Sequence, residues 1–351
     1  MAALPAPTDH AARYLVRAAV LAPSPCNTQP WHFVGGDGEV LLYADPTRSL
    51  PLADPDGREM VISCGAALFC MRLAVRHLGF QPRVTVFPDP AHPWHLATVR
   101  WGPYAPPTAD EETMFAAVPR RHTHRGPFRP DPLPDALLDQ LRLHACQEGA
   151  DLYTVSEVET LRQLALLVRE AEAVRRGHPA STAELADWTP PYGSDRRDGV
   201  PLHAYPRDPD TTAFAGRDYA GHGRVGHPGR GACVTRPTLG QVVLLSTRHD
   251  QPTDWLRTGQ ALQRVLLTAA AHGVTAAFHT QPLELPGPRR QVRRSMVGGG
   301  HPQVLLRLGY DHGVPRTPRR PVREVFTQGH RGPWADRPWH GSAEQGSGVG
   351  A

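Results

Sequence analysis

The sequence predicts an α+β fold in which short antiparallel strands pack around central buried helices. Three observations carry that expectation. Two long patterns, 58–78 and 255–272, are apolar on several sides, as helices inside a core must be. The strand-like runs are short and come as neighbours, with 83–87 and 95–101 the clearest pair. No glycine fingerprint of the dinucleotide-binding kind follows a strand. The Gly-rich pieces 221–231 and 298–300 lack its spacing, which argues against a doubly wound sheet.

Taken in order, residues 8–22 place Ala11, Leu15, Ala18 and Ala22 at helical spacing, with Thr8 available as N-cap and Pro23 as a stop. A strand is expected at 39–43. The long apolar pattern at 58–78 then ends at Gly79, and the pair 83–87 and 95–101 is separated by Pro88, Pro90 and Pro93. A Pro-rich link, 102–108, closes a first unit. The second begins with a helix near 111–118, a basic segment, and a helix at 134–146 that has Pro134 in its first turn and Gly149 beyond its end. A strand at 151–155 and an Ala/Leu/Arg/Glu-rich helix at 157–175 follow. From 177 to 237 the pattern dissolves into Gly, Pro, His, Arg and Asp, too long for an ordinary connection, and reads as a lid. Order returns with a strand at 241–247, a buried helix at 255–272 stopped by Gly273, and strands at 274–279 and 303–308. The stretch 331–351 is low-complexity and expected to be disordered.

With 40% hydrophobic and 21% charged residues, the 351-residue chain can bury a sizeable core. It has no uninterrupted apolar run near the roughly 20 residues of a membrane helix, and Met1 to Asp9 lacks the features of a signal peptide, so the expectation is a cytoplasmic protein. Five scattered cysteines, Cys26, Cys64, Cys70, Cys146 and Cys233, read as reduced thiols. The net charge of +4 is gathered into arginine pairs at 120–121, 289–290, 293–294 and 319–320. Such local pairs suit a phosphate better than a duplex, and without an aromatic-interleaved basic sheet nucleic acid is not an expected partner. Nineteen histidines include no pair with the spacing of a hydrolytic zinc site, so no metal is expected.

The most informative stretch is 22–33, Ala-Pro-Ser-Pro-Cys-Asn-Thr-Gln-Pro-Trp-His-Phe. Pro23 and Pro25 fix the backbone, while Ser24, Asn27, Thr28 and Gln29 supply donors and acceptors. Composition allows two readings, a helix-terminating loop or a rigid loop that reads the edge of a heteroaromatic ring. A second basic segment, Arg121-His122-Thr123-His124-Arg125, is by pattern alone a solvated turn.

The stretch 22–33 resembles the Pro-Ser-x-x-Asn-x-Gln-Pro-Trp motif of the nitroreductase family, which lies beside the isoalloxazine ring of flavin mononucleotide (FMN). The segment at 121–125 is similar to the family's Arg-x-Ser/Thr-x-Lys/Arg motif. The resemblance implies that Arg121 meets the FMN phosphate and Arg125 the pyrimidine edge of the ring, with His122 and Thr123 between them and His124 open as a proton donor. Gln281-Pro282-Leu283-Glu284 resembles the Pro-x-Glu-Gly loop near the flavin N5, with Leu285 where the family has Gly. Residues 307–310 with Pro318-Arg319-Arg320-Pro321 resemble the strand and loop completing the phosphate site, Arg320 being the preferred second ligand and Arg319 close behind.

The motif order is split. The first unit has the Pro-Trp loop without a basic motif before it, and the second has the basic motif without a Pro-Trp loop after it. With the stretches 56–66 and 259–262, this arrangement resembles the mycobacterial Acg-type subfamily over residues 10–328. It implies a fused pseudo-dimer, 1–105 as a truncated first half and 106–330 as a second half carrying the lid, that keeps one FMN site and is expected as a monomer. The implied activity is NAD(P)H-dependent two-electron reduction of a nitroaromatic or quinone. Rivals are a lid-covered protein that sequesters FMN, and a flavin oxidase acting on one metabolite. Trp31 and Trp255 are expected as core anchors, and Trp188 and Tyr192 as lid residues in transient contact.

Overall fold

The computed structural model describes residues 9–204, 212–214, 216–217, 234–235, 237–311, 313, 316–334 and 337. Its elements confirm the α+β expectation. A first run contains α1 (Asp9–Ala19), β1 (Trp31–Gly36), β2 (Glu39–Ala44), α2 (Arg58–His77), β3 (Phe80–Val86) and β4 (His95–Tyr104). After α3 (Ala109–Ala117), a second run contains α4 (Asp135–Gln147), β5 (Asp151–Val155), α5 (Val158–Arg176), α6 (Pro179–Asp187), β6 (Gln241–Thr247), α7 (Pro252–Ala271), β7 (Val274–Phe278), α8 (Pro286–Met296) and β8 (His301–Tyr310). The chain closes with α9 (Val322–Val325) and β9 (Phe326–Gln328).

The two runs share one topology. The first sheet has the order β3-β4-β2-β1-β9 and the second β5-β6-β8-β7, so β1, β2, β3 and β4 correspond to β5, β6, β7 and β8. Every corresponding pair is antiparallel. Even the irregularities match: the extra residue Leu96 of β4, opposite Leu42 and Tyr43, has its counterpart in Gln303 of β8, opposite Leu245 and Ser246. The first half is therefore not truncated in its sheet and central helix. It is shorter because the second run carries α5, α6 and the span to 240 between β5 and β6, where the first has a two-residue turn between β1 and β2. The last strand crosses over: β9 pairs in parallel with β1, tying the end of the second half to the first.

The core lies where the helices meet. α2 packs on the first sheet, α7 on the second, and the two pack on each other. Both helices have 20 residues, and Gly65 and Gly259 are each the eighth residue of their helix. A Cβ on Gly259 would sit 1.9 Å from the Ile62 carbonyl oxygen and 2.7 Å from the Cα of Gly65, and one on Gly65 2.2 Å from the Leu256 carbonyl oxygen. Backbone thus touches backbone at the crossing, an approach open only to residues without a side chain. α2 is buried almost all round, which explains an apolar pattern without a polar face. It is long and apolar enough to cross a membrane, yet 83% of that stretch is buried inside the protein. Asp54 caps its start, accepting the N–H groups of Glu59 (3.0 Å) and Met60 (2.9 Å).

Some expectations need correction. Trp31–Gly36 is a strand rather than loop, and its Trp31, Phe33 and Val34 are all buried, so no alternation marks it. Inside the lid span, 179–187 is helical and fastened by Glu184, which accepts the N–H groups of Leu52 (2.8 Å) and Ala53 (3.0 Å). Much of the remaining span lies outside the described residues. The tail does not begin at 331: Trp334 packs edge-on against His32 with ring centroids 5.3 Å apart, and the Trp94 indole donates to the Arg337 carbonyl (2.7 Å). Residues 338–351 lie outside the described residues.

Gly259→Ala puts the crossing to the test. Helix propensity alone favours Ala by about 1 kcal/mol, but the added methyl must overlap the Ile62 carbonyl. The expected result is a net loss of about 1–3 kcal/mol in urea unfolding. Gly287→Ala, in open space on α8, should show no such loss.

Candidate functional site

The loop between α1 and β1 is held in an uncommon conformation. Cys26, Asn27 and Gln29 have φ of 51°, 54° and 51°, three side-chain-bearing residues in the left-handed region within four positions. Each costs on the order of 1 kcal/mol, so surrounding contacts must impose the shape. Ser24 Oγ accepts the Gln29 N–H (2.9 Å), closing the loop on itself. Pro23, Ser24, Pro25 and Cys26 then form one wall of a pocket. Burial pushes the Cys26 thiol up to about 11, so it is an inert neutral group.

The opposite walls come from the other half. Thr123 and Arg125 line the pocket, positioned because the basic segment docks on the edge of β7, with the His124 N–H donating to Ala276 O (2.8 Å). Phe278 and Thr280 follow from the end of β7, and Gln303 and Val304 from the bulge in β8. Glu59, Ile62 and Ser63 of α2 and Leu262 of α7 form the floor, beside the helix crossing. The pocket therefore exists only because the two halves are packed together.

Beside it lies a cluster of arginines. Arg121 is wholly buried and donates once, to Leu21 O (2.9 Å), leaving Nε and Nη1 without partners. Arg319 donates to Asn27 Oδ1 (2.9 Å) and to Thr317, with Nε unpartnered. Burial lowers Arg121 to about 10, and burial with the charges of Arg121 and Arg125 lowers Arg319 to about 9. Among the described residues none of Arg121, Arg125, Arg316 and Arg319 has a carboxylate within ion-pair reach. Buried cations that repel one another and keep unused donors make a site for a phosphate. Arg125 belongs to both cluster and pocket, so a ligand with a ring and a phosphate matches the combined shape.

Not every expected residue faces that space. Asn27 Nδ2 donates to the carbonyls of Gly199 (2.9 Å) and Pro318 (3.1 Å). Gln29 Nε2 donates to Arg197 O (2.8 Å), and its Oε1 accepts the Arg320 N–H (2.8 Å). Both side chains therefore hold residues 197–199 and the 318–320 loop rather than lining the pocket. Arg320 turns to Glu324 and Gln29, so the order of preference reverses, and Arg319 is the better-placed cation. His122 pairs with Asp311 (2.7 Å), and His124 packs on Phe128 with ring centroids 4.7 Å apart; neither lines the pocket.

The 281–284 turn is buried. Gln281 has both side-chain polar atoms unpartnered, Pro282 and Leu283 are packed in, and Glu284 is clasped by Arg175 of α5 and by Arg217. Arg217 in turn lines the pocket. Trp188 packs under Arg48 and Arg196, whereas Tyr192 is 97% exposed. Sequence reasoning missed Glu59, Arg217 and Gln303. An acid at the mouth of an otherwise apolar helix was the one signal available for Glu59.

Asp54, under the start of α2, is raised to about 7 by burial and then by the nearby Glu59 charge. A raised acid keeps its proton in the folded state where the unfolded chain has lost it, so stability falls as pH rises from about 4 to about 7. Asp54→Asn, which retains the capping oxygen, should flatten that part of the curve of melting temperature against pH and exceed the wild type at pH 8.

No protein-family model matches the chain. Over 325 residues, 91% of this chain and 92% of the relative, it is 35% identical to a Mycobacterium tuberculosis protein named "Putative NAD(P)H nitroreductase Rv3131". It is 31% identical over 321 residues, 89% of this chain and 93% of the relative, to an M. tuberculosis protein named "Putative NAD(P)H nitroreductase acg". Among solved structures, a Desulfitobacterium hafniense nitroreductase with bound FMN aligns at 15% identity and a TM-score of 0.35, covering 61% of this chain and 97% of that one. On the extent and level of the first two matches, the chain belongs to the nitroreductase family, in its Acg-type branch.

Proposed function

We propose that the chain is an FMN-dependent oxidoreductase that transfers two electrons from NAD(P)H to a small nitroaromatic or quinone acceptor. The observation that carries the reading is the junction of pocket and arginine cluster through Arg125, with unused donors on Arg121 and Arg319. In this reading Arg121 and Arg319 hold the phosphate, and Pro23, Ser24, Pro25, Thr123 and Phe278 enclose the ring. When bound, FMN supplies the electron-transfer chemistry. The protein's own part is electrostatic: Arg125 sets a positive charge at one side of the pocket, where negative charge must be borne. Residues 1–105 and 106–330 act as two halves of one monomer, since the helix crossing already supplies both walls.

A second reading is a lid-covered protein that holds FMN without turnover. It is favoured by the lid's fastening: Glu284 grips Arg217, and Asn27, Gln29 and Arg48 grip residues 197–199.

A visible spectrum of the FMN-reconstituted protein, followed anaerobically on adding NADH or NADPH, separates the readings. The expected result is an oxidised-flavin spectrum that bleaches with a nicotinamide and recovers with a quinone. Bleaching by dithionite alone favours retention under the lid, and absence of a bound flavin removes both readings. Arg121→Ala and Arg319→Ala should each weaken FMN binding about 10- to 100-fold, the worth of a charge-assisted hydrogen bond. Arg320→Ala should weaken it far less, as equilibrium titration of the apoprotein would measure.

A further inference from the structure

The flavin pocket is separated from a second cleft by one turn of helix. That outer cleft is lined by Asp54, Asp56 and Arg58 on one side and Arg289, Arg290 and Arg293 on the other, and Pro55, Asp56, Arg290 and Arg293 open it to solvent. Glu59 lines the inner pocket, and Asp54 lines the outer cleft. Asp54 lies against the same turn, bonded to the Glu59 N–H, and both side chains are buried. Arg58 fixes the arrangement from both directions, donating to Glu59 Oε1 (3.0 Å) and to Gln303 O (2.7 Å). Two buried carboxyls at the start of one helix therefore lie between the two pockets, one lining each.

Reduction of a quinone by a nicotinamide consumes one proton from solvent: the nicotinamide brings two electrons and one proton, and the hydroquinone needs two of each. A pocket lined by Ile62, Leu262 and Phe278 beside Glu59 and Arg217 needs a route for that proton. We propose that Glu59 is the proton donor to the acceptor and that Asp54 is its positioning residue and resupply. The proposal rests on the reading of the inner pocket as a flavin site. Asp54 gives its proton to the Glu59 carboxylate, and the Glu59 O–H bond so formed breaks as an O–H bond forms on the quinone oxygen, the electron pair being the one the nicotinamide supplies through the bound flavin. Asp54 is then reprotonated by water in the outer cleft. The surroundings suit a proton that moves near neutrality. Burial and the neighbouring Glu59 charge raise Asp54 to about 7. Arg58, Arg289, Arg175, Arg217 and Arg125 face Glu59 from α2, α8, α5, the lid and the basic segment.

The test uses the FMN-loaded chain, reduced anaerobically with dithionite and reoxidised by duroquinone, which takes protons, or by ferricyanide, which does not. Glu59→Gln should lower the ratio of the two rates about 100-fold, and Glu59→Asp should restore most of it. Asp54→Asn should shift the pH profile of the duroquinone step. Infrared titration of the apoprotein should show a protonated carboxyl lost between about pH 5 and pH 9 that is absent from Asp54→Asn. An unchanged ratio in Glu59→Gln overturns the proposal. If that variant does not fold, an unshifted profile in Asp54→Asn overturns it. A chain that binds no FMN fails at the earlier step, by its spectrum, and is distinguishable from a flavin-loaded chain whose ratio does not move.

Discussion

At Gly65 and Gly259 the two central helices meet with no side chain between them, and the rest of the molecule is arranged about that contact. Because each glycine is the eighth residue of a 20-residue helix, the crossing relates the halves position by position. Ile62 and Leu262, which floor the pocket, correspond to Leu256 and Leu68. Those two are fully buried in the first core. Glu59 and Ser63 correspond to Thr253 and Arg257, which carry no comparable charge arrangement. Between α4 and β5, where the first half has its strained Pro-Trp loop, the second has only Glu148, Gly149 and Ala150. One related position is thus open and lined for a ligand, and the other is filled with hydrocarbon.

Much of the fold was legible because its signals are local. Helix stops at Gly79 and Gly273, the proline-separated pair β3 and β4, and the apolar patterns of α2 and α7 are each set by neighbours in sequence. β1 was hidden because both its faces are buried, which erases the alternation that identifies a strand. β9 is three residues long and owes its existence to β1, some 290 positions earlier. Trp334 and Arg337 are held by His32 and Trp94, contacts that low complexity masks.

The site was half legible, and the division is physical. Motifs identified which loops converge, and Pro23, Ser24, Pro25, Thr123 and Arg125 do converge. They could not say which way each side chain turns. Asn27 and Gln29 have the same donors and acceptors whether they face a ring or a peptide, and here peptides of the lid and the 318–320 loop claim them. Of two adjacent arginines, one turn of backbone sends Arg319 into the cluster and Arg320 to Glu324. Arg217 had no motif at all. It matters because Glu284, fixed by a different loop, holds it over the pocket.

The same residues that build the site also bind its cover, and this couples ligand to lid. Asn27 touches Arg319 through Oδ1 and Gly199 through Nδ2, so one amide joins the arginine cluster to the lid's backbone. Without an anion, Arg121, Arg125 and Arg319 face each other at the cost of mutual repulsion and unmet donors. A phosphate relieves that cost only in the folded state, so its binding stabilises the loop, and through Asn27 the loop stabilises the lid. Under the proposed function, closure of the span over the pocket and hold on the phosphate are coupled through Asn27. Movement of residues 197–199 away from the loop breaks the Asn27 and Gln29 bonds to them, whereas Arg121 and Arg319, the proposed phosphate ligands, are distinct from the Arg217–Glu284 pair.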